Sequence, residues 1–277
     1  MNTIFRSDTK TLCMGILNVT PDSFSDGGKF TDVDVAVSHA LKMRDDGADI
    51  IDIGGESTRP GGYLPISVDE EISRVIPVIK RLSQYEDLTL SIDTMKSEVA
   101  KEALLSGCKI VNDISGFAFD SKMASTISSY NASAIIMFNY FYTAKKNDVS
   151  NLDIIDIALM GLSSSIEMAT QAGISADKIS IDPGIGFGTT RQQELTLIRR
   201  LSELSFNNKY PILLACSRKR IVRELMGTQL DSNNIDLASI SLGLAGVKNG
   251  ASMLRVHDVK NTVAALKVFD AALGRKG

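Results

Sequence analysis

The sequence predicts an α/β protein built as a single (β/α)8 TIM barrel, and three observations carry that prediction. Eight short apolar segments alternate along the chain with eight amphipathic helical patterns. Several of the helical patterns end at a glycine, which is typical of helix C-termini. The 277 residues also match the size of a closed barrel, which is about 250 residues. An open doubly wound sheet is the alternative, but no G-x-G-x-x-G turn follows the first apolar segment.

The predicted elements alternate from one end of the chain to the other. Short apolar runs bounded by turn residues predict strands at 12–17, 50–54, 88–93, 109–112, 133–138, 178–182, 212–216 and 252–256. Amphipathic patterns predict helices near 33–46, 68–83, 96–106, 121–130, 152–171, 192–204, 237–248 and 259–273. The glycines after helical patterns are Gly47, Gly107, Gly173 and Gly250. No Pro- or Ser-rich linker divides the chain, so residues 1–277 are expected to form one domain.

The composition argues against several classes of protein. The net charge of −3 and the pI near 5.5 provide no basic surface, so a nucleic-acid partner is not expected. No apolar run approaches the ~18 residues of a membrane span, and the first residues lack the layout of a signal peptide. Cys13, Cys108 and Cys216 lie in or beside apolar segments, as buried reduced thiols do. We therefore expect a cytoplasmic protein without a membrane partner.

The segment after the first predicted strand is the most informative part of the chain. It runs from Asn18 to Gly28 and is rich in carboxylates, hydroxyls, glycine and proline. A connection between a strand and a helix usually has about two to six residues, so this one is long. In parallel α/β proteins, polar loops just beyond the buried strands hold the functional groups. The segment therefore predicts an active-site loop.

Polar side chains stand at the end of nearly every predicted strand. Because parallel barrel strands deliver their carboxyl ends to one face, these side chains would surround one pocket. They are Asn18, Asp93, Asn112, Asp113, Asp182, Ser217, Lys219, Arg255, His257 and Asp258, with the segment 54–61 after the second strand. Asp113 and Asp258 are expected to be helix caps or loop anchors. Placing Asp93, Asn112, Asp182 and Lys219 together in a recessed pocket costs stability unless a ligand or a network satisfies them.

The residue types divide into two kinds of binding chemistry. One set suits a planar heterocycle with both donors and acceptors: Asp93, Asn112, Asp182 and Lys219. The other set suits an anion such as phosphate or diphosphate: Arg59, Arg255, His257 and the backbone amides of the glycine-rich loops. The chain has two histidines and no His/Cys spacing for a metal held by protein alone. Mg²⁺ held chiefly by substrate phosphates, with one protein oxygen such as that of Asn18, fits these residues.

Five segments together resemble dihydropteroate synthases, the sulfonamide-target enzymes of folate synthesis. They are 14–28, 54–61, 182–188, 217–219 and 255–258, and the resemblance extends over roughly residues 12–272. Members of this family are (β/α)8 barrels and usually homodimers. They join 6-hydroxymethyl-7,8-dihydropterin diphosphate to p-aminobenzoate and release diphosphate. The resemblance therefore implies a pterin-binding transferase that uses Mg²⁺, forms a homodimer and is open to competition by sulfonamides.

The resemblance also implies a role for each matching residue. The pterin would be held by Asp93, Asn112, Asp182 and Lys219, with Ile114 and Phe187 as apolar walls. Of these, Lys219, Asp93 and Asp182 are the expected catalytic residues. Asn18 would carry the metal ion. The diphosphate would be bound by Thr58, Arg59, Arg255 and His257, with Val256 between the last two. Pro60 and Ser217 would shape the p-aminobenzoate slot.

The chain departs from the family pattern at two positions, and these leave alternatives open. Phe138 stands where the family usually has histidine at the rim of the barrel mouth, and an aromatic loop, 139–143, follows it. Thr189 stands where lysine is common. Neutral drift, altered sulfonamide discrimination and a paralogue with weak or altered activity are all compatible with these changes. A methyltetrahydrofolate:corrinoid methyltransferase of the same superfamily is a further alternative, but the segments 58–61 and 217–219 favour the synthase.

Overall fold

The computed structural model describes residues 3–20, 29–57, 65–227 and 231–275, and its central feature is one sheet of eight parallel strands. The strands are β1 (Leu12–Asn18), β2 (Ile50–Gly54), β3 (Thr89–Asp93), β4 (Ile110–Asp113), β5 (Ser133–Met137), β6 (Ile179–Asp182), β7 (Leu213–Leu214) and β8 (Met253–Val256). Their order in the sheet is β6-β5-β4-β3-β2-β1-β8-β7. A parallel bridge between Ile181 and Ile212 joins the two outer strands. The predicted barrel is confirmed.

Helices surround the strands and connect them. They are α1 (Lys29–Asp45), α2 (Val68–Leu82), α3 (Ser97–Leu105), α4 (Met123–Ser129), α5 (Tyr140–Lys146), α6 (Ile154–Gln171), α7 (Arg191–Arg199), α8 (Arg220–Met226), α9 (Ser232–Lys248) and α10 (Val259–Ala272). Eight of them match the predicted helical patterns. The predicted glycine C-caps are confirmed, because Gly47, Gly107, Gly173 and Gly250 all have positive φ angles.

Three local predictions were inaccurate. Residues 139–143, expected to form a loop, begin α5, because the Asn139 side chain accepts a hydrogen bond from the backbone N–H of Phe141 and caps the helix. The helix α8 after β7 was not predicted at all. The ladder of β7 is shorter than the predicted 212–216, since its pairing with β8 ends at Leu214 and Leu254.

The interior of the barrel is layered along the strands. Its lower layer is apolar and consists of Phe5, Leu12, Met14, Ile50, Ile110, Ile135, Leu213 and Met253. Phe5 comes from the segment before β1 and is fully buried, so its ring closes the lower end. Strand side chains alternate between the two faces, so the residue two positions further along faces the interior again. At that level β2, β4 and β8 carry Asp52, Asn112 and Arg255. A polar layer therefore lies directly above the apolar one.

A second apolar core lies between the strands and the helices, and it encloses the three cysteines. Cys13, Cys108 and Cys216 are all free thiols, as predicted. The chain's first strand and last helix are joined at the lower end, where Asp270 accepts hydrogen bonds from the Thr11 backbone N–H (2.7 Å) and hydroxyl (2.8 Å). Within the described ranges, no helix is both long enough and apolar enough to cross a membrane.

Candidate active site

The ends of β1, β2 and β3 form one row at the upper mouth of the barrel. In the ladders, Asn18 is paired with Gly54, and Gly54 with Asp93. A Cβ atom placed on Gly54 would lie 3.6 Å from the Cβ of Asp93 and 4.0 Å from the Oδ1 of Asn18. The missing side chain at Gly54 therefore leaves an open space between the carboxamide of Asn18 and the carboxylate of Asp93.

Arg255 connects two carboxylates below this row. Its Nε donates to Oδ2 of Asp52 at 2.6 Å, and its Nη2 donates to Oδ2 of Asp93 at 2.6 Å. The Nδ2 of Asn112 donates to the same Asp52 oxygen at 2.9 Å. The Arg255 Nη1 makes no bond to any residue that the structure describes. Four strands thus contribute to one hydrogen-bonded network in the barrel interior.

The buried network changes the pKa of the Asp93 carboxyl group. Burial raises its pKa to about 7, although the Arg255 guanidinium opposes that rise, and the carboxylates of Asp52, Glu71 and Asp113 add to it. Near neutral pH the group can therefore both accept and donate a hydrogen bond. A carboxyl group in that state suits a heterocycle whose ring nitrogens present both kinds of partner.

Asp182 and Lys219 lie at the ends of β6 and β7. The backbone N–H of Gly184 donates to Asp182 Oδ1 at 2.7 Å, and Lys219 Nζ donates to the carbonyl oxygen of Ile185 at 2.7 Å. Burial lowers the pKa of Lys219, and the Asp182 carboxylate opposes that change. Burial likewise raises the pKa of Asp182, opposed by Lys219. Each group therefore stabilises the charge of the other.

The loop after Asp182 requires glycine. Gly184 has a φ of +71°, and a Cβ there would lie 1.8 Å from the carbonyl oxygen of Phe138. Any side chain would therefore separate this loop from the end of β5. The close approach places Phe187 beside Lys219, whose Nζ lies 4.9 Å from the centre of the ring.

An apolar wall completes the mouth. Met95, Ile114 and Met137 form a small buried cluster, and Phe187 packs against it. The wall stands beside the polar groups of Asp93, Asn112, Asp182 and Lys219, which end the adjoining strands. A flat ring with polar edges matches such a combination of an apolar face and converging polar groups.

Ser217 and His257 lie together at the ends of β7 and β8. Ser217 Oγ and His257 Nδ1 are 3.0 Å apart, and the backbone N–H of His257 donates to the same hydroxyl at 3.3 Å. The pair is held in place by two contacts, so the imidazole has a defined orientation at the mouth.

The described residues contain no group of three or more His, Cys, Asp or Glu side chains that could hold a metal ion. The Asn18 carboxamide at the mouth has no hydrogen-bond partner in the described part of the chain. A neutral oxygen donor of this kind suits Mg²⁺, which takes few protein ligands when it is bound with substrate phosphates.

Comparison with known proteins decides the family. The model of the pterin binding enzyme family matches residues 14–257. The dihydropteroate synthase of Bacillus subtilis (strain 168) is 43% identical over 269 residues, which cover 97% of this chain and 90% of that protein. The chain belongs to the dihydropteroate synthase family. It has the activity of that family, a transferase reaction of folate biosynthesis.

Solved structures of dihydropteroate synthases share the whole fold. The enzyme from Clostridium difficile, determined in the presence of pteroic acid, has a TM-score of 0.87 and 45% identity, over 96% of this chain and 98% of that one. The enzyme from Xanthomonas albilineans with 4-aminobenzoic acid has a TM-score of 0.86 and 38% identity, over 95% and 93%.

The structure brings most of the predicted site residues of this synthase to one mouth. Those at or just beyond the carboxyl ends of the strands are Asn18, Asp93, Asn112, Ile114, Asp182, Phe187, Ser217, Lys219, Arg255 and His257. Thr58, Arg59 and Pro60 lie outside the described residues. The side chain of Val256 packs in the outer core, so it does not face the mouth with its neighbours.

Both expected anchors act as such in the synthase. Asp113 accepts hydrogen bonds from the backbone N–H groups of Ser115 at 2.7 Å and Phe117 at 3.1 Å. Asp258 caps α10 through the backbone N–H of Asn261. Arg255, which the resemblance assigns to the diphosphate, contacts the carboxylates of Asp52 and Asp93, which leaves both N–H groups of Nη1 and one of Nη2 for a further partner.

Sequence reasoning missed Asp52, which is fully buried at the centre of the network. The polar residues that predict the pocket follow the strands, whereas Asp52 lies in the middle of β2. An available sign was the carboxylate between Ile51 and Ile53, because an acidic residue inside a buried strand requires a partner. Met95, in the apolar wall, was also missed, because nothing in the sequence distinguishes it from an ordinary core residue.

A buried ion-pair cluster beside the mouth was missed as well. Lys96 Nζ contacts Glu56 Oε2 and Glu71 Oε2, both at 2.6 Å. The other oxygen of the Glu56 carboxylate accepts a hydrogen bond from the backbone N–H of Ile66 at 3.1 Å. Glu56 therefore ties residue 66 to the end of β2.

The two departures from the family pattern are both buried side chains. Phe138 is 1% exposed and packs against Gly161 of α6, so the expectation of a position on the rim was wrong. The reason is strand alternation, which turns Met137 inward and Phe138 outward. Thr189 is buried, and its hydroxyl lies 3.5 Å from Glu194, which forms an ion pair with Arg191.

Proposed function

We propose that the synthase joins 6-hydroxymethyl-7,8-dihydropterin diphosphate to p-aminobenzoate and forms 7,8-dihydropteroate and diphosphate. The observation that carries this proposal is the placement of Asp93, Asn112, Asp182 and Lys219 around an apolar wall at one barrel mouth. The carboxyl groups accept from the ring N–H and amino groups of a pterin, and the ammonium group donates to its acceptors. The wall contacts the face of the ring.

Bond cleavage separates the pterin methylene carbon from the diphosphate oxygen, and the electron pair leaves with diphosphate. Positive charge develops on the methylene and spreads into the pterin ring. The carboxylates of Asp93 and Asp182 stabilise that charge in the buried mouth. The lone pair of the arylamine then forms the new C–N bond, and the nitrogen releases one proton to solvent. This step depends on the placement of the amine rather than on a strong base.

The leaving group requires neutralisation of its charge. We propose that the Asn18 oxygen, free of partners within the described part of the chain, contributes to Mg²⁺ binding. When bound to diphosphate, Mg²⁺ supplies positive charge at the leaving oxygens. Arg255 and His257 lie at the same mouth and add cationic and donor groups, and the resemblance adds Thr58 and Arg59.

The arylamine is proposed to bind beside Ser217, where the resemblance also implies a role for Pro60, and sulfonamides are proposed to compete there. The pterin diphosphate contains both a heterocycle and an anion, which explains why the mouth combines a heterocycle site with anion-binding groups. The three buried thiols support a cytoplasmic location.

We propose that the synthase forms a homodimer. Leu225 and Leu237 are 54% and 64% exposed beside an apolar groove between α8 and α9. Exposed leucines of this kind favour association of two copies. Sedimentation equilibrium should give twice the chain mass, and Leu237→Glu should shift the population toward monomer. A monomer at micromolar concentration in the unchanged protein contradicts the proposal.

The reaction is tested by measuring diphosphate release from the pterin diphosphate by the purified protein, with and without p-aminobenzoate and with and without Mg²⁺. We expect release that depends on both, together with formation of dihydropteroate. Release without dihydropteroate formation would indicate a paralogue with another acceptor. Methyl transfer from methyltetrahydrofolate to cob(I)alamin, without diphosphate release, would indicate the methyltransferase alternative.

A further inference from the structure

Asp52 is the centre of the polar layer below the mouth. Its side chain is fully buried, and Oδ2 accepts hydrogen bonds from Arg255 Nε at 2.6 Å and from Asn112 Nδ2 at 2.9 Å. Its Oδ1 has no hydrogen-bond partner among the described residues. The Asp52 side chain therefore depends on Arg255 and Asn112 for its hydrogen bonds, and both are residues assigned to substrate.

The position of Asp52 keeps it away from the substrate itself. In the β2–β3 ladder Asp52 is paired with Ser91, whereas Gly54 is paired with Asp93. Asp52 thus lies one interior layer below Asp93, on the side of the apolar layer that contains Ile50. A ligand in the mouth reaches Asp93 first, so any effect of Asp52 passes through its two partners.

Arg255 donates its two hydrogen bonds to two different carboxylates. The Nε and Nη2 edge of a guanidinium commonly takes both oxygens of one carboxylate. Here that edge is shared, because Nε bonds to Asp52 and Nη2 bonds to Asp93. Only one oxygen of Asp93 is used in this way, and the other is left for a ligand. Without the charge of Asp52, the same edge could close on both oxygens of Asp93.

We propose that Asp52 is a positioning residue, which divides the Arg255 edge between two carboxylates and orients the Asn112 carboxamide, so that Asp93 keeps an oxygen for the pterin. The proposal rests on the proposed function in one respect, namely that Asp93, Asn112 and Arg255 face substrate. Asp52 itself touches neither substrate nor metal.

The first test compares Asp52→Asn with Ser91→Ala. Ser91 is a matched control, because it is a buried neighbour of Asp52 whose hydroxyl makes no hydrogen bond to Arg255 or to any other described residue. We expect Asp52→Asn to lower kcat/KM for the pterin diphosphate by about 10- to 100-fold, as loss of a supporting contact commonly does. The KM for p-aminobenzoate should change less than twofold. An effect no larger than that of Ser91→Ala overturns the proposal.

The second test is a double-mutant cycle with Arg255→Gln. The part of the effect that passes through Arg255 is absent in Arg255→Gln, so adding Asp52→Asn there should lower kcat/KM by less than about threefold, which is the part that passes through Asn112. A full additional loss overturns the proposal. If Asp52→Asn alone does not fold, this comparison still decides, since the double variant contains no unpaired charge from that ion pair.

The third test does not require turnover. The Arg255 Nε–H resonance, assigned by its loss in Arg255→Gln, should exchange slowly with solvent in the unchanged protein. Asp52→Asn should shift it and accelerate exchange at least tenfold, whereas Ser91→Ala should leave it in place. An unmoved resonance contradicts the positioning role. A shifted resonance in a protein that releases no diphosphate supports the positioning role while refuting the proposed reaction.

Discussion

At the scale of single residues, Lys219 illustrates how placement changes the chemistry of a common side chain. Its ammonium group is held between the carbonyl of Ile185, the Phe187 ring and the charge of Asp182. In the proposed function, this preorganised group donates to the acceptors of the pterin. Lys209 provides a contrast, since its ammonium group lies 5.1 Å from the Tyr210 ring on the exposed surface.

Lys219→Ala should lower kcat at least about 100-fold, because it removes a preorganised donor from the site where charge develops. Lys209→Ala removes a lysine that also contacts an aromatic ring, and it should leave kcat within twofold. Steady-state diphosphate release measures both. Turnover of Lys219→Ala near that of the control would refute the assignment of Lys219.

Asp93 should make stability depend on pH in a direction opposite to that of most carboxylates. Burial raises its pKa from 3.8 to about 7, so the folded protein binds more protons than the unfolded chain between these values. The stability contributed by Asp93 is thus present below pH 4 and lost as pH rises through 7. The free energy of unfolding of Asp93→Asn, relative to the unchanged protein, should increase by about 1 to 3 kcal/mol between pH 4 and pH 8. Urea unfolding without ligand measures it, and a constant difference contradicts the assigned pKa.

The residues of the mouth could be predicted from the sequence because they follow strands. Parallel strands of a barrel end at one face, so Asp93, Asn112 and Asp182 were grouped from their positions alone. Asp52 was not, since strand interiors were treated as apolar packing. The partner of Arg255 could not be deduced either, because the choice between a substrate anion and Asp52 depends on distances across the barrel.

At the scale of elements, the end of β5 determines which side chains line the mouth. Alternation turns Met137 into the apolar wall and Phe138 into the outer core against α6. The N-cap Asn139 then starts α5, and its Nδ2 donates to the carbonyl oxygen of Ile114 at 3.1 Å. The strands could be predicted because each is a short apolar run that is buried on both faces of the sheet. Short helices such as α5 and α8 have too few residues to show a period.

Phe138→His should reduce stability and leave substrate recognition unchanged. The imidazole would be buried where an aromatic ring now packs against Gly161, so unfolding should become easier by about 2 to 3 kcal/mol. The KM for p-aminobenzoate and the inhibition by sulfonamides should stay within twofold. Phe141→His, at a side chain that is 66% exposed, is the control and should change stability by less than about 0.5 kcal/mol. A lower KM in Phe138→His would instead place residue 138 at the mouth.

At the scale of the whole molecule, the barrel has one end for stability and one for chemistry. Phe5 fills the lower end, in contact with a layer that contains residues of six strands. Phe5→Ala should therefore cost about 3 to 5 kcal/mol in urea unfolding. The KM for the pterin diphosphate should be unchanged in the folded protein, because the polar layer separates Phe5 from the mouth. Phe119→Ala, at a 50% exposed side chain, should have little effect on either quantity. A change of KM in Phe5→Ala would show that the two ends are coupled.

The ion pair between Asp52 and Arg255 also has a consequence for the synthesis of the chain. The two residues are separated by 203 positions, and the arginine lies on the last strand. While the ribosome is still making the chain, the carboxylate in β2 has no guanidinium to face and gains nothing from being enclosed. Burying this carboxylate before β8 is made would cost free energy, which favours a nascent barrel that stays open and hydrated at its centre. Emergence of the final strand closes the ring and neutralises the carboxylate together, so that no incomplete chain can present a finished pterin site.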